Sequence, residues 1–132
     1  CAAEYWSGIF CEHTLEHLYY PEAVACVREA FRTLRAGGVL RLIVPDADRY
    51  VDFYRDERAD SPFASGPEAL SNLTQNWAHR SVWNAALLCE LLRETGFAGV
   101  RIERFGSGSM PQLLRDTPGR AWESCYVEAR KP

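Results

Sequence analysis

The sequence predicts an α/β layered fold, and three observations carry that expectation. Short apolar runs that suit strands alternate with stretches whose apolar positions recur every three or four residues. Glycine, proline and asparagine mark the changes between them. With 132 residues, 47% of them hydrophobic, the chain has material for one small core, so residues 1–132 are expected to form a single domain.

The elements follow in order. Trp6 to Cys11 (WSGIFC) is an apolar run that suits a buried strand, and EHTLEHLYYP after it suits a loop or helical turn. Pro21 opens a helix to Arg35 whose apolar positions Val24, Val27, Ala30, Phe31 and Leu34 share one face. Gly37 and Gly38 are expected to stop that helix, and Val39 to Val44 then forms a strand ended by Pro45. Asp46 or Asp48 caps the next segment, where Tyr50, Val51, Phe53 and Tyr54 make an aromatic face before RDERAD, a solvated helix end. Ser61 to Pro67 is loop chemistry, and residues 68–80 are open between a short helix and an ordered lid. Asn84 caps a helix with the stripe Leu87, Leu88, Leu91, Leu92 and Thr95, and Gly96 ends it. Val100 to Phe105 and Ser124 to Ala129 are the last strands.

Charge and composition exclude several classes. The balance of 15 basic against 18 acidic residues, spread along the chain, supplies no basic patch for nucleic acid. No apolar run reaches the length of a membrane span, and no signal pattern opens the chain, so a soluble cytoplasmic protein is expected. Cys1, Cys11, Cys26, Cys89 and Cys125 are odd in number and form no CxxC pair, which predicts reduced core thiols rather than a disulfide framework. The chain opens on Cys1 and runs almost at once into a strand, which predicts a removed upstream part.

The segments GIFCEHTLEHL, REAFRTLRAGGVLRLIVPD, LLCELLRETGF and ESCYVEARKP resemble successive parts of class I S-adenosylmethionine-dependent methyltransferases of the methyltransferase type 11 kind, over nearly the whole chain. The resemblance implies a partial Rossmann-like sheet, strands four to seven of a seven-stranded fold with flanking helices, the last strand antiparallel and inserted between its predecessors. It implies S-adenosylmethionine as cofactor, with its methionine part near Cys11, Glu12 and His13 in the loop after the first strand. The glycine-rich turn and the ribose-binding acid of such enzymes belong to strands that this sequence lacks, so the chain alone is expected to bind the cofactor weakly and to be inactive. The strand Trp6 to Cys11 would then have a bare edge, covered by a missing N-terminal half or by a second copy in a homodimer. Gly106-Ser-Gly108-Ser-Met-Pro111 partly matches a dinucleotide loop, but Pro111 replaces the third glycine and a flexible connection is the expectation.

His13, His17 and His79 are the histidines of the chain. His13, Glu16 and His17 have the spacing H-x-x-E-H, which on a helical turn places all three side chains on one face, able to converge on one divalent metal. The methyltransferases of small-RNA 3′ ends and of ubiquinone biosynthesis carry a similar E-x-x-E-H metal motif, and that resemblance implies His79 as the fourth ligand. Hydrogen bonding within the loop, without metal, is the other reading of the same residues. The spacing also matches an inverted zinc-protease motif, which would make a metal-dependent hydrolase of His13, Glu16 and His17. For methyl transfer to a small-molecule or sugar-like acceptor, Glu12, His13 and His17 are the candidate bases, and Tyr50, Tyr54 and Trp77 are candidate walls of the acceptor pocket. A non-catalytic fragment that dimerises is the remaining alternative.

Overall fold

The computed structural model describes residues 4–55 and 61–132. Cys1 and most of the RDERAD run lie outside the described residues.

The chain opens with strand β1 (Trp6–Glu12), a single 3₁₀ turn (Leu15–His17) and helix α1 (Tyr20–Thr33). Strand β2 (Leu34–Pro45) is followed by helices α2 (Ala47–Tyr54) and α3 (Gly66–Ser71) and a π turn (Asn72–Asn76). Helix α4 (Ala85–Thr95) and strand β3 (Ala98–Glu103) precede 3₁₀ turns at Pro111–Leu113 and Pro118–Arg120, and strand β4 (Ser124–Arg130) closes the fold. The result is one mixed sheet of order β1-β2-β4-β3, flanked by helices. β1 and β2 are parallel, with α1 as their crossover, and β4 runs antiparallel to both β2 and β3.

Alternation along the strands sorts the two faces of the sheet. Leu40, Leu42 and Val44 of β2 and Cys125, Val127 and Ala129 of β4 pack with Ala23 and Val27 of α1 and Leu88, Leu91 and Leu92 of α4 in the main core. Helix ends obey local chemistry: Glu22 caps the backbone of Tyr19, the Asn84 side chain accepts from Leu87 N–H at 2.8 Å, and Gly96 closes α4 at φ +108°.

Two local expectations are corrected. Helix α1 ends at Thr33, and Leu34, fully buried, already belongs to β2. The two glycines therefore sit in a strand bulge, since Trp6 opposes Leu34 whereas Gly8 opposes Val39. A Cβ on Gly38 would lie 2.8 Å from the Arg35 carbonyl oxygen, a clash with backbone that explains glycine there. β1 is half-buried rather than buried, because it is the outer strand of the described sheet. No described helix is long and apolar enough to cross a membrane.

The second sheet face is covered by the long β3–β4 connection, which includes the glycine stretch expected to be flexible. It is pinned instead. Arg41, at 0% exposure in mid-strand, donates from Nε to Asp116 Oδ1 at 2.8 Å and from Nη1 to the Ser107 carbonyl at 2.8 Å. Gly106 N–H reaches Asp116 Oδ2 at 2.7 Å, and the Ser109 hydroxyl and N–H both donate to Glu128. Met110 and Leu113 of the same connection rest on Gly8, where a Cβ would come within 2.8 Å of the Met110 sulfur. Replacing Arg41 with Met leaves Asp116 buried without its counter-charge, so Arg41→Met should cost about 3–5 kcal/mol in denaturant unfolding, and a cost below about 1 kcal/mol would show that the pair does not hold the connection in place.

Candidate functional site

The carboxyl ends of β1 and β2 and the amino end of β4 meet at one edge of the sheet. His13 follows β1 directly, its N–H continuing the ladder to Ile43 O at 2.9 Å, and takes φ +46°. That left-handed residue breaks the run before the 3₁₀ turn at Leu15–His17 begins. His13, Glu16 and His17 are thus not stacked on one helical face, contrary to the expectation from their spacing. The turn of three residues also cannot present the long helix of an inverted zinc-protease site, and the hydrolase reading falls with it.

A strand-like strap from the far side of the sequence completes the edge. Arg80 and Ser81 both donate their N–H groups to the Glu16 carbonyl, at 2.7 and 3.1 Å, and the Ser81 hydroxyl donates to Leu15 O at 3.1 Å. Trp83, 1% exposed, anchors the strap in the core and stacks on Tyr20 with centroids 5.3 Å apart. His79 arrives beside His17 by this route, with ring centroids 4.9 Å apart.

The side chains then sort by their partners. One ligand atom each of Glu16, His17 and His79 lies within 4.8 Å of the others, whereas His13 does not join that set. His13 instead places Nε2 2.8 Å from the Ser124 hydroxyl and Nδ1 3.3 Å from Glu16 Oε1. Glu16 is 1% exposed, and neither carboxylate oxygen has a hydrogen-bond partner among the described residues. His17 stands 3.9 Å from Glu16 Oε1 with its side chain 44% exposed.

Glu12 is committed to structure. Both of its oxygens accept from Thr117, from the N–H at 2.8 Å and from the hydroxyl at 2.7 Å, which ties the end of β1 to the β3–β4 connection. The Cys11 thiol is pushed up to about 11, chiefly by burial, and stays neutral. Cys89 and Cys125 are buried thiols as expected, but Cys26 is exposed on α1.

The aromatic residues separate as well. Tyr50 is buried in a satellite core with Phe53, Ala69 and Leu73, its hydroxyl donating to Glu123 at 2.5 Å, so it walls no pocket. Tyr54 and Trp77 are exposed. A cavity of about 410 Å³ opens nearby, lined by Asp46, Arg49, Phe105, Ser124 and Tyr126 among others, and it shares Ser124 with the His13 hydrogen bond.

Ser124, Thr117, Arg80 and Ser81 carry this geometry and were not singled out in the sequence. Only one signal pointed toward such partners. An arginine inside the apolar run VLRLIV requires a buried acid, which Asp116 turns out to be.

Solved structures share the architecture. A SAM-dependent methyltransferase from Archaeoglobus fulgidus superposes with a TM-score of 0.60 at 14% identity, over 98% of this chain and 61% of that one. The fold is that of the SAM-dependent methyltransferases. A SAM-dependent methyltransferase from Thermotoga maritima gives 0.61 at 18% identity, covering 99% of this chain and 58% of its own. A Haemonchus contortus phosphoethanolamine N-methyltransferase, solved with S-adenosylhomocysteine, gives 0.61 at 11% identity over 98% and 34%. The chain thus spans between a third and two thirds of the length of these relatives in structure. No family model matches the chain. No curated protein matches it either.

Asp46 offers a test of the electrostatics at this edge. Burial lifts its carboxyl above the ordinary value, with Asp48 and Asp52 adding to the lift and Asp48 N–H and Arg49 opposing it. A folded-state value above the unfolded one means that stability is full below the unfolded value and falls as pH rises through the folded one. Asp46→Asn, which keeps a good N-cap for α2, should therefore match the parent near pH 3 and melt higher at pH 7. Equal melting at both would mean that the carboxylate is not penalised there.

Proposed function

We propose that the protein transfers a methyl group from S-adenosylmethionine to a small-molecule or sugar-like acceptor, as the carboxyl-terminal part of a complete domain. The observation that carries this reading is the sheet order β1-β2-β4-β3 with an antiparallel β4, matched over 98% of the chain by the Archaeoglobus methyltransferase. In this reading the four strands are the fourth to seventh of a seven-stranded sheet. The outer edge of β1 then pairs with preceding strands of the same domain or, in a fragment, with a second copy.

The residues after β1 fit one wall of a cofactor site and no more. Each Glu12 oxygen accepts one bond from Thr117, and in this reading the adenosine is left to the preceding half. The donor supplies an electrophilic methyl group on a sulfonium, and holding the acceptor in line accounts for much of such catalysis. This chain's part is to shape the acceptor side. His13 is locked by Ser124, the cavity beside it is the candidate acceptor compartment, and exposed His17 is the imidazole left free to take an acceptor proton.

Calorimetric titration of the intact protein with S-adenosylhomocysteine tests the reading. Saturable one-to-one binding is expected, with much weaker binding to residues 1–132 alone. An intact protein that shows no binding at millimolar ligand would overturn the proposal.

A further inference from the structure

The protons of the edge site can be counted from its hydrogen bonds. The Ser124 hydroxyl has a single hydrogen, and it donates to Arg120 O at 2.7 Å. His13 Nε2 must then be the donor in its 2.8 Å contact with Ser124 Oγ. The other ring nitrogen, Nδ1, faces Glu16 Oε1 at 3.3 Å without forming a hydrogen bond. His79 is fixed in the same way, because its Nδ1 lies 2.6 Å from the Leu73 carbonyl, which can only accept. Its free lone pair is therefore on Nε2.

A buried ring nitrogen and buried carboxylate oxygens meet here without a hydrogen bond between them. The Glu16 carboxylate is 1% exposed and has no donor on either oxygen among the described residues, while His17 Nε2 stands 3.9 Å away. A carboxylate that is buried with no hydrogen bond to either oxygen is strongly disfavoured unless a cation joins it. We infer that Glu16, His17 and His79, whose ligand atoms lie within 4.8 Å of one another, bind one divalent first-row transition ion.

The donor set decides the class of ion. Two imidazoles and one carboxylate suit zinc, iron, manganese, cobalt or nickel, whereas magnesium and calcium prefer oxygen donors throughout. Bonds of about 2.0–2.2 Å require the three side chains to close in by roughly an ångström. His17 is free to do so, being 44% exposed. His79 already has the carbonyl partner that orients a ligating imidazole, and the His13 ring lies against the carboxylate at 3.3 Å. His13 is thus a positioning residue rather than a ligand, in contrast to the expectation from the H-x-x-E-H spacing.

Three protein ligands leave coordination positions open, and the exposed side of His17 turns them toward solvent. The site accordingly takes water or an oxygen-bearing ligand. A bound ion would occupy the His17 lone pair, ending its availability as a base and passing the activation of an acceptor hydroxyl to the metal. The inference does not depend on methyl transfer, since the geometry calls for a cation whatever reaction the domain performs.

Cobalt(II) titration of the intact, chelator-stripped protein is the test, followed by visible absorption. One equivalent should saturate a ligand-field band that zinc then displaces. His17→Ala combined with His79→Ala should abolish the band, and His13→Asn should weaken binding by about 10–100-fold. Far-ultraviolet circular dichroism checks that the variants fold. Should they not, the histidine ring resonances of the parent decide, because zinc must shift those of His17 and His79. Absence of one-equivalent binding, cobalt binding that survives the double variant, or unmoved His17 and His79 resonances would overturn the site. The S-adenosylhomocysteine titration is unaffected by that outcome, so the two readings fail separately.

Discussion

The backbone oxygen of Glu16 is the point on which the carboxyl edge of the sheet is built. Two consecutive N–H groups, from Arg80 and Ser81, converge on it, and the neighbouring Leu15 carbonyl takes the Ser81 hydroxyl. These bonds join the loop after the first strand to a segment that follows the α2–α3 cap. Trp83 then buries its ring, and its carbonyl accepts the N–H of Ala47 at 2.8 Å at the start of α2. Chain entry into α2 and the approach to α4 are both set from this strap. Because the bonds lie between main-chain groups, the Glu16 side chain is delivered inward without depending on what that side chain binds.

The regular elements were legible because they are local. Val24, Val27 and Phe31 recur at helical spacing, Asn84 and Gly96 bracket α4, and the last strand, expected over Ser124 to Ala129, is observed over Ser124–Arg130. The candidate site was legible as a set of residues and not as an arrangement. Spacing named His13, Glu16 and His17, but it could not reveal the positive φ at His13 that turns this ring toward Ser124. Glu12 looked like a free acid because Thr117 is remote in sequence. The glycine pair looked like a helix stop because a bulge against Trp6 is a property of the partner strand. In each case the deciding contact is long-range, and local propensity carries no information about it.

Burial of charge divides the sheet into two kinds of surface. One face is a conventional apolar core with α1 and α4. The other sets Arg41 against Asp116 and Glu128, both almost fully buried, so its cover is specified by ion pairs and by donors from Gly106 and Ser109. Such a network costs desolvation yet tolerates few alternative arrangements, because every misplaced partner leaves a charge unmet. The connection it holds also delivers Thr117 to Glu12 and Ser124 to His13. Order on the second face and order at the site are therefore the same constraint.

The direction of β4 has a practical side. As the antiparallel strand of the sheet, it begins at the site with Ser124 and carries the chain away from it. Seven residues, Ser124–Arg130, at about 3.3 Å each take the backbone roughly 20 Å to the opposite edge. A fluorophore or a surface tether placed at Arg130 thus sits on the side of the sheet remote from His13, His17 and His79. Arg130 is therefore a position from which the described fold can be tethered with that edge facing outward.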